Sequence, residues 1–157
     1  IVMRLSNMYR YLNIPFKSGQ LLQKAIDDGV IAANFSNMEK LADSWLAARE
    51  ADKAAAVLER IRGQDSSGET DLKLARLYVS EEQWPEAVAP LEAATEKLTN
   101  SKKGDALLMG GMVQFHLKNL ERAESLLKQA GRFDKQRNQA AQWLRHIQQS
   151  QPEDGDA

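Results

Sequence analysis

The chain has 157 residues, of which 43% are hydrophobic and 27% charged, enough to bury one sizeable core or a short stack of small units. Its 21 basic and 22 acidic residues are mixed along the sequence and sum to a net charge of −1, leaving no basic stripe for nucleic acid. There is no cysteine, which excludes disulfides, thiolate chemistry and cysteine-bound zinc, and no apolar run approaches the roughly 18 residues of a membrane span.

Alanine, leucine, lysine, glutamate, glutamine and arginine dominate, and β-branched residues are sparse, so the expected fold is all-helical. Ile1 falls straight into helical pattern without a charged leader or cleavage site, which reads as a piece of a longer protein with any targeting signal upstream. In 3–29, Leu5, Ser6 and Tyr9 share one helix face, and Ser18, Leu22 and Ala25 share the next. Pro15 suits the first turn of that second helix, where its missing N–H costs nothing, and Asp28-Gly29 suits its end. After a connection at 30–35, Ser36 and Glu39 have the spacing of a capping box. Leu41, Ala42 and Trp45 then mark a third helix, and Ala54, Leu58 and Ile61 a fourth. Gly63 is its expected C-cap, and 64–68 a loop by composition.

The stretch 71–94 places Leu74, Ala75 and Tyr78 on one short helix and Trp84, Ala87, Leu91 and Ala94 on another, with Pro85 at the turn. Beyond an expected loop at 100–103, Gly111 and Phe115 mark a seventh helix. Leu120, Ala123, Leu127 and Ala130 mark an eighth, ended by Gly131. A ninth helix, 134–149, carries Ala140, Trp143, Leu144 and Ile147 on one face and glutamine and arginine on the other. The acidic tail 150–157 is expected to lack order.

Spacing converts these pairs into a repeat. Tyr9, Trp45 and Tyr78 are separated by 36 and 33 residues. Ser18, Ala54, Ala87 and Ala123 follow at 36, 33 and 36, as do Leu22, Leu58, Leu91 and Leu127. The order Leu-small-x2-aromatic followed by small-x3-Leu resembles the tetratricopeptide repeat, whose period is 34. The resemblance implies an all-α, right-handed superhelix of about four antiparallel helix pairs (units 3–32, 35–67, 68–101 and 104–133), closed by a capping helix at 134–149.

Candidates for chemistry are few. His116 and His146 lack a histidine or cysteine at helical spacing, so neither has the pattern of a metal ligand. Asp27-Asp28 and Glu81-Glu82 fall at a helix end and in a turn, where solvated charges are ordinary. Gly110-Gly111 is not followed by Lys-Ser or Lys-Thr and reads as helix, not as a phosphate loop. Trp45, Tyr78, Trp84 and Trp143 occupy repeat-core positions. No catalytic residue, cofactor or metal is expected, and the chain does not read as an enzyme.

The tetratricopeptide resemblance implies that a partner protein or peptide is held by fixed, non-core positions of each first helix. These are Met3, Asn7, Arg10 and Tyr11; then Glu39, Asp43 and Leu46; then Leu72, Arg76 and Val79; then Leu108, Met112, Phe115 and His116. Leu108, Met112 and Phe115 form an apolar stripe, able to accept an amphipathic segment or to be covered by the ninth helix or a flanking segment. The carboxylate clamp of co-chaperone repeats is not matched: Asn7 fits, but Met3 stands at the lysine position and no second asparagine follows. Residues 9–15 (Tyr-Arg-Tyr-Leu-Asn-Ile-Pro) and 140–144 (Ala-Ala-Gln-Trp-Leu) resemble the opening and closing runs of periplasmic tetratricopeptide proteins associated with TonB–ExbB–ExbD systems. That resemblance implies a periplasmic, bacterial accessory factor that binds TonB-system components. A structural or self-association module of a larger protein is the other reading of the residues; for either, a cytoplasmic location is the alternative.

If Ala87 is the small residue that lets two helices approach, Ala87→Leu overpacks the pair and costs roughly 1–3 kcal/mol. An unchanged melting temperature would show that the register is misplaced.

Overall fold

The computed structural model describes residues 1–151, and among them it contains nine α-helices and no strand. The chain divides into two compact units, Ile1–Ser66 and a second beginning at Ser67. The first holds α1 (Val2–Tyr11), α2 (Pro15–Asp27), α3 (Phe35–Ala47) and α4 (Ala51–Ile61), each packed on the next, followed by a 3-10 turn at Arg62–Gln64. The second holds α5 (Glu69–Ser80), α6 (Trp84–Lys97), α7 (Asn100–His116), α8 (Leu120–Ala130) and α9 (Arg137–Ser150), with α9 lying on both α7 and α8. No helix of the described residues is long and apolar enough to cross a membrane.

One turn geometry closes all four hairpins. Asn13, Arg49, Glu82 and Lys118 adopt left-handed conformations, with φ of 57°, 58°, 56° and 66°. The N–H of the residue after each one donates to the carbonyl of Tyr9, Trp45, Tyr78 or Gln114 at 2.8–2.9 Å. This is the Schellman arrangement, which satisfies carbonyls that a helix end leaves unpaired. The end of α2 uses the same closure, with Gly29 at φ 68° and Val30 donating to Ala25. Asparagine tolerates this backbone; arginine, glutamate and lysine carry a steric cost there, offset by the two hydrogen bonds that each turn gains.

The turns also fix the repeat register. Gln114, not Phe115, is the counterpart of Tyr9, Trp45 and Tyr78, and Phe115 is the next residue round the helix. Gln114 is buried, and its Oε1 accepts a hydrogen bond from Asn119 Nδ2 at 2.8 Å. An amide thus replaces the aromatic ring.

Small residues set how closely the helices approach. Ala42, Ala54, Ala75, Ala87 and Ala123 are fully buried. A Cβ on Gly111 would lie 2.5 Å from Leu127 Cγ, and one on Gly19 would lie 2.7 Å from the Trp45 ring. Gly19 therefore lets the indole lie flat on α2. In the first hairpin the small positions are hydroxyls, Ser6 and Ser18, and Ser44 of α3 joins them; all three are buried. Ser44 donates to the Lys40 carbonyl at 2.9 Å, so it accepts from Ser18 at 3.0 Å, which in turn accepts from Ser6 at 2.7 Å. In the second unit, fully buried Asp71 of α5 accepts from Lys97 of α6 at 2.6 Å, tying the ends of that hairpin together.

Four local expectations are corrected. The cap of α3 is Asn34, whose side chain accepts from the Asn37 N–H at 2.9 Å; Ser36 already lies inside the helix. Residues 100–103 form the first turn of α7, not a loop, because an exposed first turn accepts polar residues and Leu98 is buried beside it. Gly63 lies within the 3-10 turn, and Gly131, although the C-cap of α8, keeps a right-handed backbone (φ −63°). α9 begins at Arg137, not 134, because Gln136 turns back to donate to Asp105 Oδ1 at 2.7 Å. Ser150 is the last residue of α9, and the remainder of the expected tail, from residue 152, lies outside the described residues.

The serine chain predicts a non-additive mutant series. Ser18→Ala removes two hydrogen bonds and leaves the buried Ser6 hydroxyl without its acceptor, an expected cost of about 2 kcal/mol, whereas replacing Ser6, Ser18 and Ser44 together costs less than the sum of the single changes. Urea denaturation of the four variants measures both.

Candidate functional site

The first unit displays its candidate residues on α1 and α3. Asn7 and Arg10 are exposed, and Tyr11 is 89% exposed. Met3, Glu39, Asp43 and Leu46 are half-buried. Around Tyr11 the surface is apolar: Met8 of α1, Leu12 and Ile14 of the turn and Phe16 of α2 are all exposed. The core reading of Tyr9 and Trp45 accounts for the other face of these helices, but the outward apolar residues lie between core positions and were not singled out by periodicity. Their signal is a near-continuous apolar run, 8–16, interrupted only by Arg10 and Asn13.

The second unit treats its candidates differently. Leu72 and Leu108 are only 3% and 8% exposed, so both are core residues and not contact positions. Val79 and Met112 are half-buried and pack against the cores built around them. Arg76 is exposed and pairs with Asp105 Oδ2 at 3.4 Å, while Asp105 Oδ1 accepts the hydrogen bond from Gln136. An ion pair this exposed contributes at most about 1 kcal/mol, but it orients Asp105 toward the turn that leads into α9.

α9 covers the apolar stripe. Ala140 and Ile147 are buried with Leu107, Leu108 and Leu127, and Met112, Phe115, Trp143 and Leu144 pack around them. The Trp143 and His146 rings lie 5.5 and 5.2 Å from Phe115. His116 stacks on Trp84 at 4.1 Å with the planes 4° apart. The only two histidines of the sequence thus join Trp84, Phe115 and Trp143 in one aromatic cluster, with both imidazoles exposed and a shallow depression beside Trp143, His146, Gln139 and Gln142. Trp84 and Trp143 are therefore partly surface residues as well as packing residues. Sequence spacing had no means of joining His116 to His146, because they lie on helices whose relative placement is tertiary.

No group of three histidine, cysteine or acidic side chains among the described residues is arranged to hold a metal ion. Asp27-Asp28 and Glu81-Glu82 are exposed at a helix end and a turn. Their surroundings give none of the burial that would prepare a carboxyl group for acid–base work.

No protein-family model matches the chain, and comparison with curated proteins gives no match. The fold is similar to that of several solved structures. MamA from AMB-1 aligns with a TM-score of 0.73 at 16% identity, covering 85% of this chain and 72% of that one. A putative kinesin light chain from Podosopora anserina with nearly identical TPR-like repeats gives 0.66 at 19% identity, covering 94% and 84%. YrrB, described as a TPR protein with an unusual peptide-binding site, gives 0.65 at 19% identity, covering 85% and 68%. The chain therefore has a tetratricopeptide-type all-α fold.

Because Phe115 holds α9, Phe115→Ala is expected to destabilise the second unit by roughly 3–5 kcal/mol. Amide hydrogen exchange will rise first in α9; uniform protection would show that α9 is held by other contacts.

Proposed function

We propose that this chain is a non-catalytic scaffold that binds a protein or peptide segment through outward residues of its first helices. The observation that carries this reading is the exposed surface of α1, where Asn7, Arg10 and Tyr11 stand beside the uncovered side chains of Met8 and Leu12. A patch combining an aromatic anchor, an arginine and aliphatic neighbours has the composition that concentrates binding energy at protein interfaces. The finer reading is an accessory factor of a periplasmic TonB–ExbB–ExbD system. Its support is the resemblance carried by residues 9–15 and 140–144, the first of which contains Tyr11 itself.

A second reading, a structural or self-association module, is favoured by one observation: in the second unit α9 already covers the stripe of α7. The two readings separate on the behaviour of α1. A photo-reactive amino acid at Asn7 or Tyr11, introduced in cells, is expected to give adducts with a TonB-system component, and the same probe at exposed Arg60 of α4 to give none. Tyr11→Asp is expected to reduce those adducts by roughly tenfold, the scale of a hot-spot loss, with the circular dichroism unchanged. Adducts only between copies, with a dimer in light scattering that Tyr11→Asp dissolves, would establish self-association instead. Equal labelling from Arg60 would rule out the α1 surface.

A further inference from the structure

The two adjacent glycines of α7 have different physical reasons. Gly111 is required by packing, since any Cβ there runs into Leu127. Gly110 is less crowded: its Cβ would meet only Leu126 Cδ1, at 3.3 Å, a tight contact but with the far end of a flexible side chain. Glycine is the least favourable helix-interior residue after proline, so Gly110 weakens α7 while relieving only one contact with a side chain that can move. In the repeat register it stands where the other first helices carry Leu5, Leu41 and Leu74, the last two fully buried. One leucine side chain is missing from the fourth hairpin.

A cleft of about 390 Å³ opens at that point, on the side of the second unit formed by α6 and α8. Leu91, Leu107, Gly110 and Val113 line it, together with Leu126. Its polar lining combines neutral Thr95, Gln114, Ser125 and Gln129 with charged groups: Glu92 pairs with Arg122 at 3.2 Å, while Glu96 has no ion-pair partner among the described residues. The volume lies in the range of ligand sites, and the half-buried side chains of Val88 and Leu126 beside a spare carboxylate select an aliphatic group with a cation beside it.

We infer that this cleft binds an extended peptide segment of a partner protein, seating a leucine-type side chain over Gly110 and a neighbouring lysine or arginine against Glu96. The partner supplies the leucine that the repeat lacks. This site lies between second helices and does not depend on the first-helix surface proposed above.

The test is amide chemical-shift titration of the full chain with capped dipeptides. Acetyl-Leu-Lys-amide is expected to give saturable shifts at Gly110, Val113 and Leu126. Acetyl-Ala-Lys-amide and acetyl-Leu-Glu-amide are expected to bind at least about fivefold more weakly, from lost aliphatic burial in the first and charge repulsion in the second. Gly110→Leu fills the cleft and removes binding, Gly110→Ala weakens it, and Glu96→Gln removes the preference for lysine while leaving that for leucine. If Gly110→Leu does not fold, Gly110→Ala carries the comparison. The inference is overturned by undiminished binding to the folded Gly110 variants or by equal shifts from n-hexylammonium alone. The absence of saturable shifts up to about 10 mM peptide, where even millimolar affinity registers, overturns it as well.

Discussion

Everything in this structure depends on two helix backbones approaching closely at a small residue on each. Ala42 with Ala54, Ala75 with Ala87, and Gly111 with Ala123 recur at the same register, and the four alanines and Ala123 have no exposed surface. At Gly111 the constraint is measurable, because a single added carbon would fall inside the Leu127 side chain. Short helices of 10–17 residues gain little stability on their own. They persist because close approach lets the neighbouring leucines bury their side chains fully. The left-handed turn residues complete the arrangement by folding each second helix back in one fixed geometry.

Departures from the repeat are where the chain acquires individuality. The first hairpin replaces alanines by Ser6 and Ser18, which join Ser44 in a directional chain of hydroxyls, exchanging apolar contact for hydrogen bonds. The second unit replaces an aromatic ring by Gln114, which shifts the aromatic residue one place to Phe115 and turns it toward α9. That shift gives α9 its seat and gathers Trp84, His116, Trp143 and His146 around it. Gly110 is a further departure, and it borders a cleft of the second unit.

Helix identity, pairing order and most core residues were legible in the sequence because they follow from local periodicity and a regular interval. The candidate surface was legible only in part. Asn7, Arg10 and Tyr11 are exposed as the repeat positions imply, whereas Leu72 and Leu108, the counterparts of half-buried Met3 and Glu39, are buried. Position in a repeat fixes where a side chain leaves its own helix, not whether another element covers it. Helix starts were misread at Asn34 and at 100–103 for a related reason: polar residues suit a loop and an exposed first turn equally well.

The sequence by itself determined the all-helical fold, the four hairpins and the small-residue register, since each arises from interactions within a few turns of chain. The tertiary structure alone decided that α9 covers the α7 stripe, that both histidines meet at one aromatic cluster, and that Gly110 borders a cleft while Gly111 fills a contact. Those outcomes depend on which helix faces which across tens of residues, and adjacent glycines are chemically identical until a neighbour is placed against one of them.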